Sequence, residues 1–174
     1  MELTVAELLA QRPTLKVGTK VLLTGTIYTA RDAAHKRMFQ MLERGEPLPF
    51  EIRDAFIYYA GPTPGKNGLP TGSCGPTTSG RMDPYAPRLM DMGLGGTIGK
   101  GERSAVVVDA IRRNGSIYLC AVGGAGALIA RSIKELEVIA FPDLGCESIK
   151  RLRVERLPLV VAINARGENI FERA

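Results

Sequence analysis

Apolar runs of strand length alternate with helix-length amphipathic stretches along this chain, and glycine or proline separates most neighbouring pairs. That alternation is the strongest constraint on its fold, because strands and helices in turn bury their apolar faces as a mixed α/β domain. Val5 to Leu9 read as a short helix that stops before Pro13. The run "KVLLTGTIY" from Lys20 reads as a strand. Thr29 and Asp32 form an S/T-x-x-D/E pattern, which predicts a capping box for the next helix. Ala33, Ala34, Met38, Met41 and Leu42 continue that helix, and Gly45 is its natural stop. "DAFIYYAG" is a second strand, bounded by Gly61 and Pro62.

A Gly/Pro-rich stretch, "GPTPGKNGLPTGSCGP", follows. Loops of this length inside a compact domain are usually functional or mobile. Asp83-Pro84 suits an N-cap and first helical position, predicting a helix from Pro84 to Met92. "GGTIGKG" is a short strand entering a turn. "ERSAVVVDAIRRNG" is a helix closed by Asn114-Gly115, "SIYLCAV" a strand, and "GGAGALIARSI" a glycine turn that opens a helix. "ELEVIAF" and "RVERLPLVVAINARG" are strands; Pro158 interrupts the second and predicts an edge there. There is no internal repeat or low-complexity tail, and 174 residues suit one domain over residues 1–174.

With 45% apolar and 24% charged residues, the composition is that of a globular chain. No apolar run approaches the roughly 18 residues of a membrane span. The N-terminus shows no basic region followed by an apolar core, so a cytoplasmic protein without membrane contact is expected. The net charge is +5. The basic residues are scattered, though, and the densest cluster, "KRLRVER" from Lys150, reads as a solvated strand face. Stacking aromatics are few and tryptophan is absent, which argues against nucleic acid. A modest positive field suits a small anionic substrate equally well. Cys74, Cys120 and Cys146 are widely spaced with no C-x-x-C pair, so neither a disulfide framework nor a metal site is expected.

Two glycine turns resemble nucleotide motifs and fail the test. For a P-loop, Gly99-Lys100-Gly101 would need glycine at Leu94 and Ser or Thr at Gly101. For a dinucleotide turn counted from Gly124 and Gly126, the third glycine position holds Ile129. Arg31, early in its helix, has the planar fork that clamps a carboxylate. His35 lies four residues on, on the same helix face, as an acid/base or packing group. "CGPTTSGRMDP", Cys74 to Pro84, gathers Thr77, Thr78 and Ser79 ahead of Arg81. Hydroxyls beside a cation can move protons; they also serve plain turns. Both readings stand on the residues alone.

The segments "TGTIYTARDAAHKR", "YYAGPTP", "GPTTSGRMDPY", "IGKG" and "YLCAVGGAGAL", in this order and spacing, resemble the beta subunit of class I fumarate hydratases. This unit is also the C-terminal domain of the single-chain enzymes and is related to L-tartrate dehydratase beta subunits. The resemblance covers nearly the whole chain. It implies a swivelling β/β/α domain with mixed sheet layers and flanking helices, in a hydro-lyase that interconverts fumarate and L-malate. It implies a fumarase alpha subunit as partner, which carries the [4Fe-4S] cluster, and homodimer contacts within a heterotetramer. Carried over by motif, Arg31 and Lys100 fall on substrate-binding positions, Thr77 on the catalytic threonine, and Arg81 on a catalytic and substrate-binding arginine. Asp32, His35 and Thr78 stand behind them as supporting residues.

Two departures stand out. "LGCESIK" replaces a tryptophan-containing segment of many relatives, and Gly80 leans towards fumarase over tartrate dehydratase. The alternatives are a dehydratase of L-tartrate or another 2-hydroxy dicarboxylate, and a non-catalytic anion-binding or assembly module.

Overall fold

The computed structural model describes residues 1–122 and 125–172. In chain order the elements are β1 (Glu2–Thr4), α1 (Val5–Gln11), β2 (Lys20–Thr29), α2 (Asp32–Glu43) and β3 (Phe56–Tyr58). A 3-10 turn (Ser79–Met82), α3 (Ala86–Asp91), β4 (Gly96–Gly99), α4 (Ala105–Asn114), β5 (Tyr118–Ala121) and α5 (Gly126–Ala130) follow. The chain ends with β6 (Ile133–Ala140), a second 3-10 segment (Pro142–Glu147) and β7 (Ile149–Ile163). The glycine turn expected ahead of α5 includes Gly123 and Gly124, which lie outside the described residues.

The strands make one seven-stranded mixed sheet in the order β1-β2-β3-β4-β5-β7-β6, and a further β2–β7 pairing closes it into a barrel. This single closed sheet stands where separate sheet layers were expected. β2, β3, β4 and β5 run parallel. β7 runs antiparallel to both β5 and β2 and shuts the ring. One flank of β2 is divided between β1 at Leu22–Thr24 and β3 at Tyr28–Thr29. One flank of β7 is divided in the same way between β6 and β5.

Alternation along β3 explains how barrel and helices share a core. Phe56 and Tyr58 point into the interior with Leu23, Ile27, Ile98, Leu119 and Val161. Ile57 and Tyr59 point outward against Ala34 and Met38 of α2, with Met82 and Leu89. Val107 and Ile111 of α4 pack on Tyr118 and Ile163 in a third cluster. Both faces of β3, β4 and β5 are therefore covered, so their residues are buried in succession, whereas β2 alternates.

Two expectations from sequence are corrected. The capping box is at Thr4, not Thr29: the Thr4 hydroxyl accepts the Glu7 N–H, and the Glu7 carboxylate accepts the Thr4 N–H. Thr29 instead ends β2, fully buried, and its Oγ1 accepts the Lys150 N–H at 3.2 Å across to β7. The N-cap of α2 is Arg31, with no side-chain cap. Asp83 does not cap the helix that follows it; α3 starts later, with Tyr85 at its N-cap. β7 has partners on both flanks along most of its length, and at Pro158 one flank has no registered partner, the local edge that the proline predicts. Pro158 faces Leu22 of β2, and on its other flank it falls between Val154, registered with β6, and Leu159, registered with β5. Proline is tolerated at that local gap because it has no N–H to give a ladder. The helix stops were legible: Gly45 and Gly115 adopt φ of +70° and +63°.

Candidate active site

The carboxyl ends of adjacent parallel strands share one rim, the usual place for ligands in open α/β sheets. Arg31 lies two residues beyond the end of β2, and Lys100 directly follows β4. The segment carrying Thr77 returns to β3, where the Thr77 N–H donates to Tyr59 O at 2.7 Å. Thr78 then bridges to Lys100 in parallel register, and the Ser79 N–H donates to Lys100 O at 2.9 Å. The fold thus brings Arg31, Thr77, Thr78 and Lys100 to three neighbouring strand ends. Arg81, on the first 3-10 turn, donates through Nη2 to Asp32 Oδ2 at the start of α2. Lys100, Thr78 and Arg81 are exposed and Thr77 is half-buried, so this rim is open.

Arg31 is the most constrained cation of the set. Its side chain is 27% exposed, yet its Nε is buried without a hydrogen-bond partner among the described residues. The nearest acid, Glu147 of the second 3-10 segment, is 3.9 Å away, too far for a hydrogen bond. Gly61 makes room for this side chain: a Cβ there would lie 3.0 Å from Arg31 Nη1 and 3.1 Å from Cys146 O. The exposed part of this side chain is not at Nε, and a planar guanidinium can clamp a carboxylate through its other nitrogens.

His35 sits behind Arg31, fully buried. Its backbone N–H and its Nδ1 both approach Arg31 O, at 3.0 and 2.8 Å. A carbonyl only accepts, so Nδ1 carries the proton and Nε2 is bare. Nε2 has no partner among the described residues. Tyr59 and Tyr85 pack on the ring at 5.6 and 5.4 Å. Burial pushes the imidazole down to about 4, against the pull of the Arg31 carbonyl and Asp32. His35 therefore holds the N-terminus of α2 as a neutral donor and does not face the rim as an acid/base.

The sequence did not disclose three other polar residues. Arg103, read from sequence as part of a helix, lies just ahead of α4 and is buried, with its Nε 2.7 Å from Asp83 Oδ1. Lys150, within the cluster read as a solvated face, is buried. Its Nζ donates to the carbonyls of Gly145, Cys146 and Ser148, tying down the turn that carries Glu147. The rest of that cluster does alternate outward, with Arg151 and Arg153 paired to Glu137 and Glu135. No local pattern marks Arg103 or Glu147, because their partners lie far away in sequence.

The first 3-10 turn packs tightly on β4. A Cβ at Gly99 would lie 2.0 Å from Ser79 Oγ and 3.0 Å from a Tyr59 ring carbon. Ser79 cannot simply move: its hydroxyl donates to Tyr118 Oη at 2.8 Å, and Tyr118 in turn donates to Gly101 O at 2.8 Å. Gly99→Ala is expected to destabilise the chain by about 1–3 kcal/mol through overpacking. Urea unfolding measures this, and a midpoint equal to wild type would show that the turn yields freely.

The three cysteines sit in different surroundings. Cys74 is buried, and burial pushes its thiol up to about 12. Burial also raises the Cys120 thiol, which is half-buried on β5. Cys146 is exposed on the second 3-10 segment. Among the described residues no three His, Cys, Asp or Glu side chains converge as a metal site. None of their helices is long and apolar enough to cross a membrane.

Fold and rim together define a mixed α/β unit that offers cations and hydroxyls at the carboxyl ends of parallel strands. The chain belongs to the family described as Fumarase C-terminus, whose model matches residues 1–174. It is 43% identical over 170 residues to the anaerobic class I fumarate hydratase of Escherichia coli K12, covering 96% of this chain and 31% of that protein. It is 40% identical to fumarate hydratase 2 of Leishmania major, covering 97% and 30%. It is 31% identical to the L(+)-tartrate dehydratase subunit beta of Escherichia coli K12, covering 90% and 79%. The chain therefore spans under a third of the fumarate hydratases and most of the tartrate dehydratase subunit.

Proposed function

We propose that this chain is the beta part of a hydro-lyase that interconverts fumarate and L-malate, with an active site shared with an alpha part. One observation carries the reading: Arg31, Thr77 and Lys100 converge on one rim, with Arg81 anchored across it to Asp32. A C4 dicarboxylate has an anion at each end, and separated cations suit it. In dehydration a proton leaves the carbon beside one carboxylate, the neighbouring C–O bond breaks, and water and an alkene result. Negative charge builds beside that carboxylate, and fixed cations stabilise it.

In this reading Arg31 and Lys100 hold carboxylate oxygens, and Thr77 transfers the carbon-bound proton. A threonine hydroxyl is a poor base unless nearby positive charge favours its ionised form; Arg81 and Lys100 are assigned that influence. Binding to Arg81 requires substrate to replace or share the Asp32 carboxylate. Thr78 and His35 support the backbone around the site. The iron–sulfur cluster is left to the alpha part. Rocking of the barrel against that part would be the swivelling motion, and residues 1–174 would act as a single domain in a cytoplasmic heteromer.

The extent of the match to the tartrate dehydratase subunit supports a second reading, in which the substrate is L-tartrate. The test is anaerobic co-purification with the alpha part, followed by turnover of fumarate, L-tartrate and mesaconate. Fumarate is expected to be fastest, and the chain alone inactive. Faster turnover of tartrate would favour the second reading. An assembled, cluster-loaded complex that turns over none of the three would overturn both.

A further inference from the structure

We propose that Arg103 is a positioning residue that fixes the Thr77–Arg81 segment for proton transfer; its effect on rate rests on the functional reading above. Its guanidinium is fully buried and spends its donors on three separate pieces of chain. Nε donates to Asp83 Oδ1 at 2.7 Å, Nη1 to Thr97 Oγ1 on β4 at 3.0 Å, and Nη2 to the Tyr59 hydroxyl beyond β3 at 3.2 Å. The Tyr59 and Tyr118 rings flank it at 5.3 and 4.7 Å. The other Asp83 oxygen accepts the Ser104 N–H at 2.7 Å, at the start of α4.

These partners bracket the candidate site. Tyr59 O receives the Thr77 N–H, and the Asp83 N–H closes the first 3-10 turn onto Gly80 O at 3.2 Å. Arg103 therefore grips the residue that anchors the front of the segment and the residue that closes its back. A planar guanidinium with five donors can serve three acceptors in fixed directions, whereas an ammonium on a flexible stem cannot hold the same geometry. A buried ion pair is seldom a net source of stability compared with apolar packing. Placement, rather than stability, is the role this arrangement serves.

The experiment compares Arg103→Lys, Arg103→Met and the charge-matched double variant Asp83→Asn/Arg103→Met in the alpha–beta complex. Hydrogen exchange on the full chain is measured alongside. Each variant is expected to lose about 100-fold in kcat with KM changed less than threefold, as for a reactive group displaced by about 1 Å. The double variant is expected to melt near wild type, since it leaves no unpaired buried charge, and still to lack kcat. Amides of residues 77–81 are expected to exchange at least tenfold faster, with β7 unchanged. Recovery of kcat in step with melting temperature in the double variant would overturn the proposal, and so would unaltered exchange at residues 77–81. If the wild-type complex hydrates none of the dicarboxylates, the functional reading fails while exchange still decides the role of Arg103.

Discussion

Thr77→Val in the assembled enzyme is expected to lower kcat by about 10²- to 10⁴-fold, the range for loss of a positioned acid–base group. KM should move little. Valine keeps the shape of the side chain, and the main-chain N–H that anchors residue 77 to Tyr59 is untouched. The cations proposed to hold the carboxylates are elsewhere on the rim, with Arg31 beyond β2 and Lys100 beyond β4. Steady-state kinetics under anaerobic conditions, with substrate–solvent proton exchange followed separately, checks this. A kcat within threefold of wild type would remove Thr77 from the chemistry. A rise in KM alone would make it a binding residue.

The second large effect is on stability. His35 has its pKa depressed in the folded chain, from 6.5 to about 4, by burial. Between those values the unfolded chain binds the proton and the folded chain does not. Stability is therefore fully present above about pH 6.5 and is lost as pH falls towards 4. At about 1.36 kcal/mol per pH unit, the whole gap is worth roughly 3 kcal/mol, with about 2 kcal/mol gone by pH 5. Urea unfolding at pH 7.5 and 5.0 measures the loss. His35→Phe, which keeps a ring between Tyr59 and Tyr85, should flatten this pH dependence even if it lowers stability at both values. An equally steep dependence in the variant would assign it to carboxylates instead.

Much of the fold was legible in the sequence because its rules are local. Apolar runs marked β2 to β7, and Gly45 and Gly115 marked helix stops by adopting a left-handed backbone. The parts that were missed depend on distant partners. Thr29 looks like a cap until Lys150 arrives from the far end of the chain to use its hydroxyl. Glu2–Thr4 is not read as a strand from sequence, and becomes one by lining up with Leu22–Thr24. The candidate site divides in the same way. Arg31, Thr77, Arg81 and Lys100 stand in recognisable motifs. Arg103 and Glu147 join the site only through the fold, Arg103 through Tyr59 and Asp83 and Glu147 beside Arg31, and no motif marks either.

The β2–β7 closure has a consequence for how the molecule is made. Registered pairs such as Thr29 with Lys150 and Lys20 with Val160 join early and late parts of the chain. Contacts of such long sequence separation form slowly, because loop entropy is lost before they stabilise anything. On the ribosome, β2, β3, β4 and β5 emerge with the rim segments between them, but the ring stays open until residues 149–163 follow. Until then β2 exposes the flank that β7 will occupy, an unpaired edge of the kind that invites association with other chains. β7 thus acts as a folding clasp: the four earlier strands remain a sticky half-barrel until synthesis has passed residue 163.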